Sequence, residues 1–216
     1  MIFDFRLIVE SIPFLFKGAL YTVQVSILAI AVGLVLGWLF GVAAVSGVTI
    51  LRVITFGYVQ FIRGTPLLVQ IFLIYFGLPA LGINVPAYWS GVIALGLNSG
   101  GFQAEIVRAG IESIDRGQSE AARSIGMSRF QTLIFILVPQ AVRRVIPPLT
   151  NELITLVKSS SLLSVISITE LTRSAQVIIA ERFTPFELYA ELAVYYLVII
   201  SVLAWFSEYV EKQLHD

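Results

Sequence analysis

The chain has 216 residues, of which 57% are hydrophobic and only 13% charged, with a mean hydropathy of +0.90; soluble domains carry about 25% charged residues, so this composition belongs in lipid. Basic and acidic side chains balance at 14 each, which gives no net charge and no sign of a nucleic-acid partner. Cysteine is absent, which excludes disulfides and thiol chemistry.

The opening "MIFDFRLIVE" carries Asp4 and Glu10 and lacks a basic region followed by a cleavage site, so no removable signal peptide is expected. Residues 1–17, with scattered charges and Pro13, are expected to form an N-terminal segment in the membrane interface. The alternative is an ordinary helix leading into the first span. No charge occurs from Gly18 to Leu51, a run longer than the roughly 20 apolar residues that cross a bilayer, and helix 1 is placed at 19–45. The charge-free run from Gly64 to Ala104 is too long for one span, and "GLPALGINVPAYW" divides it. Helix 2 is placed at 50–79 and helix 3 at 88–112. Within helix 2, Arg63-Gly64-Thr65-Pro66 is a candidate break, because proline removes a helical hydrogen bond. Pro147 and Pro148 suit the first turn of a helix, so helix 4 is started at 145 and ended at 168. Helix 5 covers 188–210, which leaves 169–187 as a loop.

Between helices 3 and 4 the segment "RGQSEAARSIGMSRFQTLIFILVP" breaks the apolar pattern. Asp115 with Gln118, and Ser128 with Gln131, read as capping boxes. Gly126 between them suits a left-handed helix end, so the pattern is a short helix at 116–125, a glycine turn and a second helix. Arg108, Arg116, Arg123, Arg129, Arg143 and Arg144 cluster around this segment, whereas the loop between helices 2 and 3 has no basic residue. Basic short loops stay in the cytoplasm, so five spans put the N-terminus outside and the C-terminus inside.

Ionisable and polar residues inside spans are costly and mark candidate sites. Glu152 falls in the cytoplasmic half of helix 4. Lys158 stands six residues on, which is not same-face spacing, so solute contact is favoured for Glu152 over a structural pair. Asn98, Ser99 and Gly101, with Gly100 between them, lie near the middle of helix 3, where adjacent glycines could free backbone groups; Gln103 extends the polar line one turn on. Glu105–Arg108 and Arg108–Glu112 have the spacing of structural pairs, and Arg63 is read as structural too. Ser159, Ser160 and Ser161 either line a path or satisfy the backbone of a bent helix. No G-x-x-x-x-G-K-[ST] sequence occurs, so no P-loop is present. His215 has no second ligand nearby in sequence, and no metal site is expected.

The spacing Glu120-Ala121-Ala122, three residues, Gly126, nine residues, Ile136, one residue, Val138, Pro139 resembles the signature loop of ABC-importer permeases, with Val138 where the family usually has leucine. "RGTPLLVQIFLIYFGLP" and "LVKSSSLLSVISITEL" resemble the polar amino-acid permeases of histidine, glutamine, glutamate and arginine importers. The resemblance covers roughly Gly18 to Val210. It implies an all-α membrane protein of the type I importer fold, a single transmembrane domain over 1–216 with five transmembrane helices. A cytoplasmic coupling loop at 115–139, with Glu120, Ala121, Ala122 and Gly126 at its centre, would dock on an ATPase subunit. It implies two permease and two ATPase subunits in a prokaryotic cell membrane, with an extracytoplasmic binding protein delivering the amino acid. No cofactor is expected in this chain; ATP and Mg would sit on the ATPase. A self-sufficient secondary transporter is the alternative, although such folds usually show internal repeats and none is visible.

Overall fold

The computed structural model describes residues 5–215, with side chains from 6 to 213. Residues 1–4 of the expected interfacial segment, and the side chain of His215, lie outside the described residues. Every element among the described residues is helical, and no strand occurs.

Helix α1 (Phe5–Val45) is unbroken over 41 residues, with Pro13 inside it. The expected boundary near residue 17 is therefore absent from the backbone: the segment from Phe5 onward is the first part of the same helix. At 1.5 Å per residue α1 is about 60 Å long, twice the hydrocarbon thickness of a bilayer. Its early turns pack on the C-terminal third of the chain, where Leu7, Leu15 and Ala19 share a core with Leu171, Ala175, Leu188 and Leu192.

The single helix expected at 50–79 is two, α2 (Thr49–Gly64) and α3 (Leu67–Ala80), meeting at 108°. Pro66 is the cause. It caps α3 with extended φ and ψ and forces Thr65 out of helical geometry. Helix α4 (Ala87–Glu112) falls where helix 3 was expected. Half of its 26 residues are buried, from Ser90 to Ile111, and its polar residues Ser90, Ser99 and Gln103 are among them.

The polar segment folds as read: α5 (Arg116–Ser124), a left-handed Gly126 at φ +88°, then α6 (Arg129–Gln131). Helix 4 does not begin at 145. The helix continues from α6 through a π-helical turn (Thr132–Leu137) into α7 (Val138–Ser159), and tightens into a 3-10 turn (Ser160–Ile166). Pro147 and Pro148 lie in the interior of α7, not in its first turn. The carbonyls they free belong to Arg143 and Arg144, both exposed, so water can pair them. Pro139 is the proline at the start of α7. The expected loop at 169–187 contains α8 (Leu171–Arg182), and α9 (Pro185–His215) follows at once. Glu170 starts α8 by accepting hydrogen bonds from the backbone N–H of Thr172 (2.9 Å) and Arg173 (2.7 Å). Glutamate is an uncommon cap, which is why the sequence does not announce this helix.

Among the described residues three helical stretches are long and apolar enough to cross a membrane, Arg6–Val45, Arg129–Ile166 and Pro185–Gln213, and the α2–α3 pair is a fourth if it is one span.

The most intimate contact joins α1 to α4. A Cβ added at Gly33 would lie 2.9 Å from Gln103 Nε2, one at Gly37 2.5 Å from Gln103 Cβ, and one at Gly41 2.5 Å from Val107 Cβ. On the other side, Gly96 and Gly100 receive Val32 and Leu36 of α1. Small residues at this spacing let helix backbones approach in membranes, where lipid removes the hydrophobic drive for helices to associate. Gly37→Ala is expected to destabilise the protein by about 1–3 kcal/mol through overpacking. Gly57→Ala, where nothing lies within 4 Å, should add about 0.5–1 kcal/mol of helix propensity. Thermal unfolding in detergent reads both, and a midpoint for Gly37→Ala at or above wild type would contradict the packing.

Candidate functional site: a polar line through the helix core

Gln103 of α4 is fully buried. Its Nε2 donates to Ser99 Oγ one turn away (2.8 Å), and Ser99 Oγ donates to Glu152 Oε1 of α7 (3.1 Å). These three residues, 53 positions apart at their extremes in the Ser99–Glu152 pair, are joined only by the packing of α4 on α7. Glu152 has no ion pair among the described residues. Arg144 is turned away, donating to the Ser113 carbonyl and Oγ, and Lys158 is exposed. Glu152 is part-buried, and a carboxylate drawn from water without a cation is costly, so the site is poised for one.

Glu152 and Ser99 open onto a cavity of about 80 Å³, lined also by Asn98, Phe102, Thr155 and Ser159. A water occupies about 30 Å³ of liquid volume, so this space holds two or three waters and cannot enclose an amino acid by itself. The remaining wall must come from another surface. The exposed neighbours Asn151, Thr155 and Lys158 on α7 offer a polar face for it.

The other candidates divide. Asn98 borders the cavity, but its Nδ2 donates to Gln70 Oε1 (3.0 Å). Gln70 in turn donates through Nε2 to the carbonyls of Ile62 (2.9 Å) and Thr65 (3.1 Å) and to Thr65 Oγ1 (2.9 Å). Asn98 and Gln70 thus splice the broken α2–α3 pair onto α4. Gln70 stands in a long apolar run, and its isolation there was the available signal for it. Gly101 does not line the cavity. A Cβ there would lie 2.6 Å from Ile62 Cγ2, so it serves the packing of α2, and α4 remains helical through both glycines. Ser160 and Ser161 bond back to the carbonyls of Val157 and Lys158, so they satisfy the tightened backbone, whereas Ser159 borders the cavity. Glu105, Arg108 and Glu112 form the expected pairs, with Arg63 at 3.8 Å from Glu105 Oε1.

In the polar segment, Asp115 caps α5 by accepting from Gly117 N (2.7 Å). The reciprocal half of the expected box is missing, since Gln118 Oε1 accepts from Gln140 Nε2 (3.2 Å). Ser128 and Gln131 make both bonds of theirs. Ala122 is buried, whereas Glu120, Ala121 and Gly126 are exposed. Ile125 and Phe130 stand 80% and 66% exposed beside them, an apolar pair that composition alone does not single out. No group of His, Cys, Asp and Glu suited to a metal occurs among the described residues.

Gln70→Leu would leave the Ile62 and Thr65 carbonyls without their side-chain donor. The cost is about 1–3 kcal/mol, felt as roughly five- to 150-fold faster amide hydrogen exchange near residues 66–70. Unchanged exchange at that junction would show that Gln70 does not hold it.

Residues 11–216 match the family model described as a binding-protein-dependent transport system inner membrane component. The chain is 38% identical over 216 residues to the glutamine transport system permease protein GlnP of Escherichia coli (strain K12), covering 99% of both. It is 39% identical over 212 residues to the probable amino-acid ABC transporter permease protein YckA of Bacillus subtilis (strain 168), covering 98% of this chain and 94% of that one. Among solved structures, an amino acid ABC transporter with histidines superposes with a TM-score of 0.90 at 37% identity, covering 99% of this chain and 100% of that chain.

Proposed function

The chain belongs to the family of binding-protein-dependent transport system inner membrane components, and on that premise we propose how it works as the permease subunit of an ATP-driven amino-acid importer. Family membership sets aside the self-sufficient secondary transporter. The subunit performs no covalent chemistry; ATP is hydrolysed on a separate ATPase chain, and a binding protein and a second permease complete the importer. In this reading two permeases and two ATPases assemble. The chain crosses the membrane five times, through α1, the α2–α3 pair, α4, the α6–α7 helix and α9, with its N-terminus outside and its C-terminus in the cytoplasm. Residues 115–139 are then cytoplasmic, and α5 is the coupling helix.

The observation that carries the reading is Glu152. It is a part-buried carboxylate with no ion pair among the described residues, bonded by Ser99, which Gln103 holds in turn, beside a cavity too small to close alone. The second permease supplies the missing wall, and Glu152 takes the solute's cationic group. Every amino acid offers an ammonium; arginine, lysine and histidine offer a second cation. Basic amino acids are therefore preferred over acidic ones. Closure of the ATPase pair, transmitted through α5, moves the helices between outward and inward openings.

Glu152→Gln keeps the shape and removes the charge. It is expected to lower arginine uptake about tenfold or more, the worth of a charge-assisted hydrogen bond, and to lower glutamine uptake less. Competitive uptake of the two radiolabelled solutes in proteoliposomes checks this, and equal losses would reject the side-chain preference.

Coupling has its own test. Gly126 sits in open space at positive φ, so valine there meets no atom but strains the turn. Gly126→Val and Glu120→Lys should each abolish uptake while the chain still inserts in the membrane. Normal uptake by both variants would remove α5 from the coupling role.

A further inference from the structure

A second, larger cavity of about 350 Å³ lies between α2 and the last turns of α4. Its polar lining is Arg52, Thr55, Gln60 and Arg63 from α2 and Glu105, Arg108 and Glu112 from α4. Phe56 and Val59 form an apolar wall. Unlike the space beside Glu152, it has room for an amino acid.

Its charges do not cancel internally. Arg108 takes both carboxylates: its Nε donates to Glu105 Oε2 (3.0 Å), and its terminal nitrogens reach Glu105 Oε1 and Glu112 Oε2. Arg63 stays 3.8 Å from Glu105 Oε1, beyond hydrogen-bond reach. Arg52 has no carboxylate within ion-pair distance among the described residues. Two guanidiniums therefore keep unused donors on one wall, and the five charged groups, three arginines and two glutamates, sum to one net positive charge. The Thr55 hydroxyl is a separate observation. Thr55 is only 4% exposed, it lines the cavity, and its Oγ1 has no hydrogen-bond partner. An unmet buried donor is costly unless something arrives to accept from it.

The two cavities share one face of α4. Asn98, Phe102, Glu105, Ala109 and Glu112 follow helical spacing, so they form a single stripe. Asn98 and Phe102 border the Glu152 cavity; Glu105 and Glu112 border the charged one. Glu105 is about 10 Å along the axis from Asn98. Phe102, 37% exposed, stands between them.

We propose that the charged cavity is a second amino-acid site on the cytoplasmic side of the path, where Arg63 and Arg52, with the Thr55 hydroxyl, hold the solute carboxylate after it leaves Glu152. The proposal rests on the permease reading above and extends it. Guanidinium binds carboxylate through paired N–H donors, which suits the group that Glu152 cannot hold. Glu105 and Glu112 retain free lone pairs for the solute ammonium. The two sites thus grip opposite ends of the solute in turn.

The absence of native cysteine makes a direct test available. Gln60 is exposed and lines the cavity. Gln60→Cys would be labelled with a maleimide from the cytoplasmic side in the assembled transporter. Arginine or glutamine at about ten times its dissociation constant should slow labelling about tenfold. The corresponding α-amide, which lacks the carboxylate, should not. Arg63→Gln should abolish the protection, whereas Glu152→Gln should leave it intact when solute is supplied from the cytoplasm. Labelling unaffected by solute, protection by acid and amide alike, or protection surviving Arg63→Gln would each overturn the proposal. The Glu152 reading stands or falls separately, on the uptake ratio of Glu152→Gln.

Discussion

The structure depends on how closely α1 approaches α4. Gly33, Gly37 and Gly41 of α1 leave a groove with no room for a Cβ, and Gln103 and Val107 of α4 fill it. In lipid, apolar surface alone does not drive helices together, so this contact must rest on van der Waals fit. The fit also decides where polar atoms go. Gln103 is sealed against α1, with Oε1 unpartnered, and its Nε2 is left to Ser99. Ser99 in turn has Glu152 as acceptor. A packing constraint in the first helix thus fixes a carboxylate in the seventh. An orphaned amide oxygen is tolerated because the surrounding glycines give the side chain one place to lie.

Irregular backbone is the second theme, and side chains compensate it each time. The 108° break at Pro66 is bridged by Gln70, which Asn98 ties to α4. The 3-10 turn after α7 is satisfied by Ser160 and Ser161. Glu170 holds the start of α8 from a fully buried position, with Thr22 of α1 accepting the Leu171 N–H. Backbone that departs from α geometry inside a membrane must find its partners in protein. Here those partners are the polar residues that a sequence reader is tempted to assign to solute. Asn98 stands on both sides of that line, bordering the cavity and bonding Gln70.

What could be read from sequence was local. The extent of α4, the short α5, the left-handed Gly126 and the Ser128–Gln131 box follow from capping and glycine geometry within a few residues. The ion pairs of Arg108 follow from helical spacing. Pro147 and Pro148 misled because proline at a helix start and proline inside an exposed helix look alike in sequence; only the solvation of the preceding carbonyls separates them. α8 was hidden by its glutamate cap. In the candidate site, Glu152, Ser99 and Gln103 stand out by residue type in an apolar context, yet their mutual bonds span two helices and no spacing rule contains them. Gly101 reads from sequence as a solute residue, because a glycine near the midplane suits backbone exposure as well as close packing. Ile62, 39 residues earlier in the chain, decides for packing.

In the proposed permease, the α1–α4 spacing sets the position of Glu152 through Gln103 and Ser99. A double-mutant cycle on Gly37→Ala and Glu152→Gln, read as the Michaelis constant for arginine uptake in proteoliposomes, tests it most directly. If Gly37 acts through the polar line, its substitution weakens binding in the presence of Glu152 and has much less effect once the carboxylate is gone. The coupling energy would then be about 0.5–3 kcal/mol. Additive effects would mean that the helix contact and the carboxylate act independently, and that the α1–α4 spacing does not set the site.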